Sequence, residues 1–225
     1  MKVGIVTVGD ELLSGETENT NASWLGRRLA ERGVTVDRTV VAPDEVGEIA
    51  TETRRLAERY DAVIVTGGLG PTHDDVTMDG VAAAFDRQVV EHSEAVAWFE
   101  ERDGYHNDDL AEGTTFLPEG ARLLPNEAGV APGAVVENVY VLPGVPAEMK
   151  AMFEAVESEF EGERTHVEVV HSEKPESALV DTLTEVQEQF DVTVGSYPGD
   201  GVRIRVGSHD PATASAAAAW LRERV

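Results

Sequence analysis

The chain has 225 residues, of which 41% are hydrophobic and 6% aromatic, which suits one ordinary domain or one domain with a small appendage. The absence of cysteine excludes a disulfide framework, a thiol nucleophile and any cysteine-held zinc or iron–sulfur site. No apolar run approaches the ~18 residues of a membrane span, and the first residues lack the features of a signal peptide. We therefore expect a cytoplasmic protein with no membrane partner.

The charge balance is strongly acidic, with 43 acidic residues against 18 basic ones and a formal net charge of −25. Only three of the basic residues are lysines, namely Lys2, Lys150 and Lys174. Acidic residues spread along the whole chain repel one another unless counterions screen them, which indicates a protein from a high-salt cell. Nucleic acid is not an expected partner, because contacts with phosphates need a basic face.

Strand-like runs alternate with helical patterns along the first 160 residues. Helices are predicted at Asn19–Glu31, with Thr20 as the N-cap, and at Asp44–Tyr60, Val76–Asp86, His92–Arg102 and Pro146–Phe160. Extended segments are predicted at Lys2–Val8, Val34–Val41, Asp61–Thr66, Thr114–Pro125 and Val135–Leu142. This alternation predicts βαβ units and a mostly parallel, helix-covered α/β sheet over residues 1–162.

The order of predicted strands and helices changes after a short polar segment, Glu161–Glu163. The segments that follow are predicted to be a strand, a helix, a pair of strands and a final helix, namely Thr165–Val170, Glu176–Phe190, Val192–Tyr197, Val202–Val206 and Pro211–Val225. This β-α-β-β-α order predicts a second, small α+β domain at residues 163–225.

Two loops that follow strands carry the strongest functional signals. Gly9 directly follows the first strand, so a ligand can approach the backbone closely there, and Asp10 comes next. The second loop, Thr66–Asp75, has three glycines in four residues (Gly67, Gly68 and Gly70), whose backbone N–H groups are predicted to bind a phosphate. Thr66 and Thr72 lie in the same loop.

The carboxylates of Asp74 and Asp75 would repel a phosphate bound in this second loop. A divalent cation such as Mg²⁺ between them would remove the conflict, because Mg²⁺ binds through one or two carboxylates together with phosphate oxygens. We therefore expect a metal at Asp75, Asp10 and Asp74. The alternative for each loop is an ordinary acidic turn.

A further strand-to-helix loop, Leu142–Lys150, is a second candidate for anion binding. Its Gly144 and Pro146 precede a helix whose first N–H groups could receive an anion, and Lys150 could reach a phosphate as a point charge. The alternative is an exposed helix lysine.

Together these loops resemble the CinA (competence/damage-inducible protein A) family. The resemblance rests on five motifs in order: Gly-Asp-Glu-Leu-Leu-Ser-Gly, Thr-Asn-Ala, Thr-Gly-Gly-Leu-Gly-Pro-Thr-His-Asp-Asp, Leu-Pro-Asn-x-x-Gly-x-Ala-Pro-Gly and Leu-Pro-Gly-Val-Pro-x-Glu-Met. It implies a three-layer α/β/α domain of the MoaB/Mog molybdopterin-binding superfamily at residues 1–162. Residues 165–225 resemble the KH-like domain of the same family.

The resemblance also implies site residues and an activity. It adds Ser14, Asp44 and Asn126 to the nucleotide site, with Asp75, Asp44 and Asp10 as catalytic residues. It implies metal-dependent hydrolysis of a compound such as ADP-ribose and a homo-oligomer, with a dimer favoured. The chain has no counterpart of the amidohydrolase domain of longer CinA proteins, so nicotinamide mononucleotide deamidation is not expected.

The main alternative is a protein that binds or adenylylates molybdopterin or a nucleotide, as in molybdenum cofactor biosynthesis. Enzyme and binder would share every pocket feature. RNA binding through the second domain is disfavoured, because that domain is acidic and lacks a Gly-x-x-Gly loop between helices.

Overall fold

Six of the described strands form the central sheet of the first of two compact units, Met1–Gly162 and Glu163–Val225. The computed structural model describes residues 1–70, 72–101 and 113–225. In sheet order the strands are β2 (Thr35–Ala42), β1 (Lys2–Val8), β3 (Ala62–Thr66), β8 (Val139–Leu142), β7 (Gly133–Val136) and β6 (Arg122–Leu124). Strands β2, β1, β3 and β8 run parallel, whereas β7 and β6 are antiparallel to their neighbours, so the predicted mostly parallel sheet is confirmed.

Helices cover both faces of this sheet. One face packs Val6 and Val65 against helices α3 (Val46–Ala57) and α4 (Thr77–Ala84), and the other packs Ile5 and Ile64 against helices α2 (Thr20–Glu31) and α6 (Pro146–Val156). Because alternate residues of a strand point to opposite faces, a strand buried on both sides such as β3 is apolar at consecutive positions, from Ala62 to Val65. The predicted three-layer architecture is confirmed. The helices are α1 (Asp10–Leu13), α2 (Thr20–Glu31), α3 (Val46–Ala57), α4 (Thr77–Ala84), α5 (Ser93–Glu100) and α6 (Pro146–Val156).

The parallel register brings three strand ends to one edge of the sheet. Thr7 of β1 pairs with Thr66 of β3, which in turn pairs with Leu142 of β8. The loops that begin at Gly9, Gly67 and Pro143 therefore start side by side. This is the edge at which open α/β sheets bind their ligands.

Two extended predictions and one cap prediction were wrong in detail. The predicted run Val135–Leu142 is a hairpin, β7 and β8, that reverses at Glu137 (φ 53°). The run Thr114–Pro125 contains two short strands in different sheets, β5 (Phe116–Pro118), which pairs with β4 (Val89–Glu91), and β6. The N-cap of α2 is Asn19, because its Oδ1 accepts the Ala22 N–H at 3.1 Å. Arg102, the predicted end of α5, lies outside the described residues.

The second unit is a three-stranded antiparallel sheet with helices on one face. Its elements follow the predicted β-α-β-β-α order: β9 (His166–Ser172), α7 (Val180–Phe190), β10 (Thr193–Gly199), β11 (Gly201–Ser208) and α8 (Pro211–Arg222). Strand β11 lies between β10 and β9. Ile204 and Val206 of β11 pack with Val186 of α7 and Leu221 of α8, so the helices cover the inward face of the sheet.

Across both units, no helix in the described part of the chain is both long enough and apolar enough to span a bilayer.

Candidate functional site

A pocket of about 240 Å³ opens at the sheet edge where β1, β3 and β8 end. It brings together segments that are distant in sequence, as expected for loops that follow neighbouring parallel strands. Its lining residues are Thr7, Val8, Gly9, Glu11, Leu12, Thr17, Glu18, Asn19, Thr20, Asn21, Asp44, Thr66, Gly67, Gly68, Asp74, Asp75, Gly144 and Pro146.

The glycine turn after β3 is a backbone feature that side chains could not replace. Gly67 has φ +109°, and a Cβ there would lie 2.2 Å from the carbonyl oxygen of Val8. Gly68 has φ +60°, and a Cβ there would lie 2.5 Å from Oγ1 of Thr77. Both positions therefore need glycine for conformation and for space.

The N–H groups of this turn are only partly available for a phosphate. The Gly67 N–H donates to the Leu142 carbonyl at 3.2 Å, because the pairing of β3 with β8 continues into the turn. This corrects the prediction that the Gly67 N–H binds phosphate. Within the described residues, the N–H groups of Gly68, Leu69 and Gly70 have no hydrogen-bond acceptor. Adjacent N–H groups of this kind form an anion-binding concavity.

The Asp44 carboxylate lies among other negative charges. Its Oδ2 accepts the N–H of Asp10 at 2.9 Å, which ties the start of α1 to the loop after β2. Burial raises the pKa of Asp44, the Asp10 N–H opposes that rise, and the charges of Asp10, Glu11 and Asp74 add to it. The carboxylates thus repel one another, so this part of the pocket suits a cation.

Asp75 is oriented by its own loop. Its Oδ2 accepts the backbone N–H of Thr72 at 3.0 Å and also the Thr72 hydroxyl. A Cβ at Gly70 would lie 2.6 Å from the same oxygen, so Gly70 leaves room for the carboxylate. Pro71, between them, lies outside the described residues.

A protein-only metal cage is not formed here. Across the described ranges, no three His, Asp or Glu side chains come close enough to hold one ion. The donor set still fits Mg²⁺, which commonly takes one or two carboxylates and completes its shell with water and phosphate oxygens.

The opposite wall of the pocket is built by the start of α2. Asn19 donates from Nδ2 to Oγ1 of Thr7 at 2.8 Å, and Asn21 donates from Nδ2 to the Gly144 carbonyl at 2.7 Å. These bonds fix the helix start to β1 and to the loop after β8. The sequence prediction did not include Asn19, Asn21 or Glu11 among the site residues. The signal was the polar run Thr17–Asn21 between a strand-end loop and a helix.

Nine of the fifteen predicted site residues line the pocket directly. The structure brings together Gly9, Asp44, Thr66, Gly67, Gly68, Asp74, Asp75, Gly144 and Pro146. Three others are not lining residues but contact ones that are: the N–H of Asp10 donates to Asp44, and Gly70 and Thr72 contact Asp75.

Ser14, Asn126 and Lys150 are not among the lining residues of the pocket. Ser14 donates its hydroxyl to the Glu11 carbonyl at 3.3 Å. Buried Asn126 donates to the Ala131 carbonyl and to Oε2 of Glu148, which ties its loop to α6. The ammonium of Lys150 lies 5.9 Å from the ring centroid of Trp24, so it packs against α2 and does not line the pocket.

Comparison with known proteins assigns each unit to a sequence family. Residues 4–160 match the family described as "Probable molybdopterin binding domain". Residues 164–225 match the family of the middle domain of FAD synthase.

Relatives extend the similarity over most of the chain. A protein of Archaeoglobus fulgidus is 41% identical over 93% of this chain and 92% of its own length. A CinA-like protein of Frankia casuarinae is 44% identical over 69% of this chain, but the match spans only 39% of that longer protein. The crystal structure of the protein CinA from Thermoplasma acidophilum, described as of unknown function, superimposes with a TM-score of 0.65 and 36% identity. It covers 71% of this chain and 97% of that one.

Proposed function

The chain belongs to the molybdopterin-binding domain family, and from this premise we propose that its first unit binds a nucleoside diphosphate compound such as ADP-ribose and hydrolyses its pyrophosphate. One observation carries the proposal. Gly68, whose N–H has no acceptor within the described residues, shares one pocket with the carboxylates of Asp44, Asp74 and Asp75.

Phosphate binding is assigned to the glycine turn. The N–H groups of Gly68, Leu69 and Gly70 donate to the oxygens of one phosphoryl group. Gly67 shapes the turn through its positive φ, and its own N–H stays bonded to Leu142. Asn21 and Gly144 close the other side of the pocket, so the remainder of the ligand lies along the start of α2.

In this proposal the carboxylates orient the attacking water and accept its proton. Water adds to one phosphorus, the bridging P–O bond breaks, and two monophosphates leave. Asp44 accepts the proton that the water loses, because its raised pKa makes it a better base than an ordinary aspartate. Asp75, held by Thr72, orients the water.

A divalent cation fits this donor set. One or two of the pocket carboxylates, Asp75 and Asp74, would hold it, with water and phosphate oxygens completing the shell. The predicted set that adds Asp10 does not form a site on its own, because no three such side chains in the described residues lie close enough to share one ion. When bound, the ion would polarise the phosphoryl oxygens and neutralise the charge of the carboxylates.

The test is product analysis of the purified protein with ADP-ribose, FAD, NAD and ATP, with and without Mg²⁺, at high salt. The proposal expects metal-dependent release of AMP from ADP-ribose. Absence of any product at saturating substrate and metal would contradict it.

A second candidate is a pterin- or nucleotide-binding protein without hydrolysis. The description of the matched family favours it, because that description names molybdopterin binding. Calorimetric binding of a pterin or nucleotide at this pocket, with no product formed, would favour the second candidate over the first.

A further inference from the structure

The second unit has a basic sheet face inside a strongly acidic chain. Arg203 and Arg205 lie on the central strand β11, and they alternate with the buried residues Val202, Ile204 and Val206. Alternation therefore places both guanidinium groups on the face that α7 and α8 do not cover. The register sets Tyr197 and His171 beside Arg203, and Val169 beside Arg205.

These two arginines have no carboxylate partner. In this unit, which is described throughout, neither guanidinium lies within 4.0 Å of a carboxylate oxygen, whereas Arg222 pairs with Glu168 at 3.0 Å. The guanidinium of Arg203 instead lies 4.9 Å from the ring centroid of Tyr197. We call Val167, Val169, Tyr197, Arg203 and Arg205 the basic sheet face.

The composition of the face favours a protein partner. Val167 and Val169 are 42% and 38% exposed, and an anionic protein surface would cover such valines while pairing with the arginines. Two arginines are too few to neutralise a nucleic-acid backbone, which needs a broad basic surface.

The same unit carries a complementary surface. Leu183 and Val186 of helix α7, together with Leu179 just before it, pack toward the sheet. The opposite side of α7 carries Asp181, Glu185 and Glu188, all exposed, at helical spacing. We call these three residues the acidic stripe. None of them forms a salt bridge in this fully described unit. Val180, at the start of α7, is 57% exposed.

The two surfaces match in charge and in spacing. Arg203 and Arg205, two residues apart on one strand, are separated by about 7 Å. Asp181 and Glu185 rise about 6 Å apart along a helix. We propose that the basic sheet face docks onto the acidic stripe of a second copy of this chain. Because the two surfaces lie on opposite sides of the unit, the contact is head-to-tail and adds copies in a ring or a row.

A charge-swap experiment tests the contact. Sedimentation velocity across a concentration series measures self-association of the intact chain and of two variants, Arg203→Glu/Arg205→Glu and Asp181→Arg/Glu185→Arg. Each variant should associate about 100-fold more weakly than wild type, because like charges then face each other. An equimolar mixture of the two should regain association, because each variant supplies the complement of the other.

The control is Arg27→Glu/Arg38→Glu, which makes the same change in net charge at two exposed arginines of the first unit. It should associate like wild type, and unchanged melting curves verify that all the variants fold. A wild type that stays monomeric, an Arg203→Glu/Arg205→Glu variant that associates like the control, or a mixture without rescue would each overturn the proposal.

Discussion

The two units use their sheets in opposite ways. In the first unit, the central parallel strands β1 and β3 are buried on both faces, and the polar residues of the pocket gather in the loops at their ends. In the second, an antiparallel sheet is covered on one face only, and Arg203 and Arg205 stand on the open face. The comparison teaches that parallel topology leaves a concave pocket at the strand ends, whereas a sheet covered on one side leaves a flat, exposed face.

The largest expected effect is on turnover, which should depend on an aspartate of the first unit and not on one of the second. Asp75→Asn should lower turnover of ADP-ribose by about 100-fold, because the carboxylate that orients the attacking water is lost. Asp200→Asn, at the exposed turn between β10 and β11, is the matched control and should leave turnover unchanged. Equal rates for the two variants at saturating Mg²⁺ would remove Asp75 from the mechanism.

The next prediction compares the two units by the backbone strain that an alanine would introduce at one glycine in each. Gly67→Ala should lower the free energy of unfolding by about 2–3 kcal/mol, because a Cβ at positive φ would strike the Val8 carbonyl. Gly199→Ala in β10 meets no atom within 4 Å and should change stability by less than about 0.5 kcal/mol. Denaturant unfolding measures both. Similar losses would show that the turn does not require glycine.

The third prediction concerns what the units share. Acidic residues are spread through both, so KCl should raise the melting temperature of both by several degrees as screening increases. Calorimetry from about 0.1 to 3 M KCl measures this melting temperature. The range covers the full change in screening, because the Debye length falls to ~3 Å at 1 M. A melting temperature that is flat or falls with KCl would contradict adaptation to high salt.

The smallest effect concerns Asp44. The pKa of Asp44 is raised in the folded state, so the ionised carboxylate is less favourable there than in the unfolded chain. Ionisation of Asp44 therefore lowers the free energy of unfolding at a pH above its folded-state pKa. This loss disappears as the pH falls below the ordinary carboxyl pKa. Asp44→Asn keeps an acceptor for the Asp10 N–H and should raise the melting temperature by about 1–2 °C at neutral pH in EDTA. At pH 3 the gain should vanish. A gain that grows toward acid pH would show that the charge is not its cause.

The sequence predicted the parallel half of the fold better than the antiparallel half. Strand β3 is apolar from Ala62 to Val65, which is typical of a strand buried on both faces. The β7–β8 hairpin was missed because it reverses at Glu137, a residue type that gives no turn signal at positive φ.

At the site, too, the sequence predicted local features and missed contacts between distant segments. The glycine turn and its aspartates are contiguous in sequence, so their proximity was predictable. Lys150 was assigned to a phosphate because lysine is rare in this chain, but its neighbour Trp24 comes from another helix, and periodicity cannot show such a contact. Asn21 was missed because its partner, Gly144, lies 123 positions away along the chain.

Hydrogen exchange with and without ADP-ribose and Mg²⁺ tests most directly whether the ligand site lies in the first unit. We expect slower exchange in peptides that cover residues 9–21 and 66–70, which contain the α2 start and the glycine turn. Peptides that cover residues 193–208 of the second unit should exchange at the same rate in both conditions. Protection confined to residues 193–208, or no protection in either unit at saturating ligand, would contradict the assignment of the pocket.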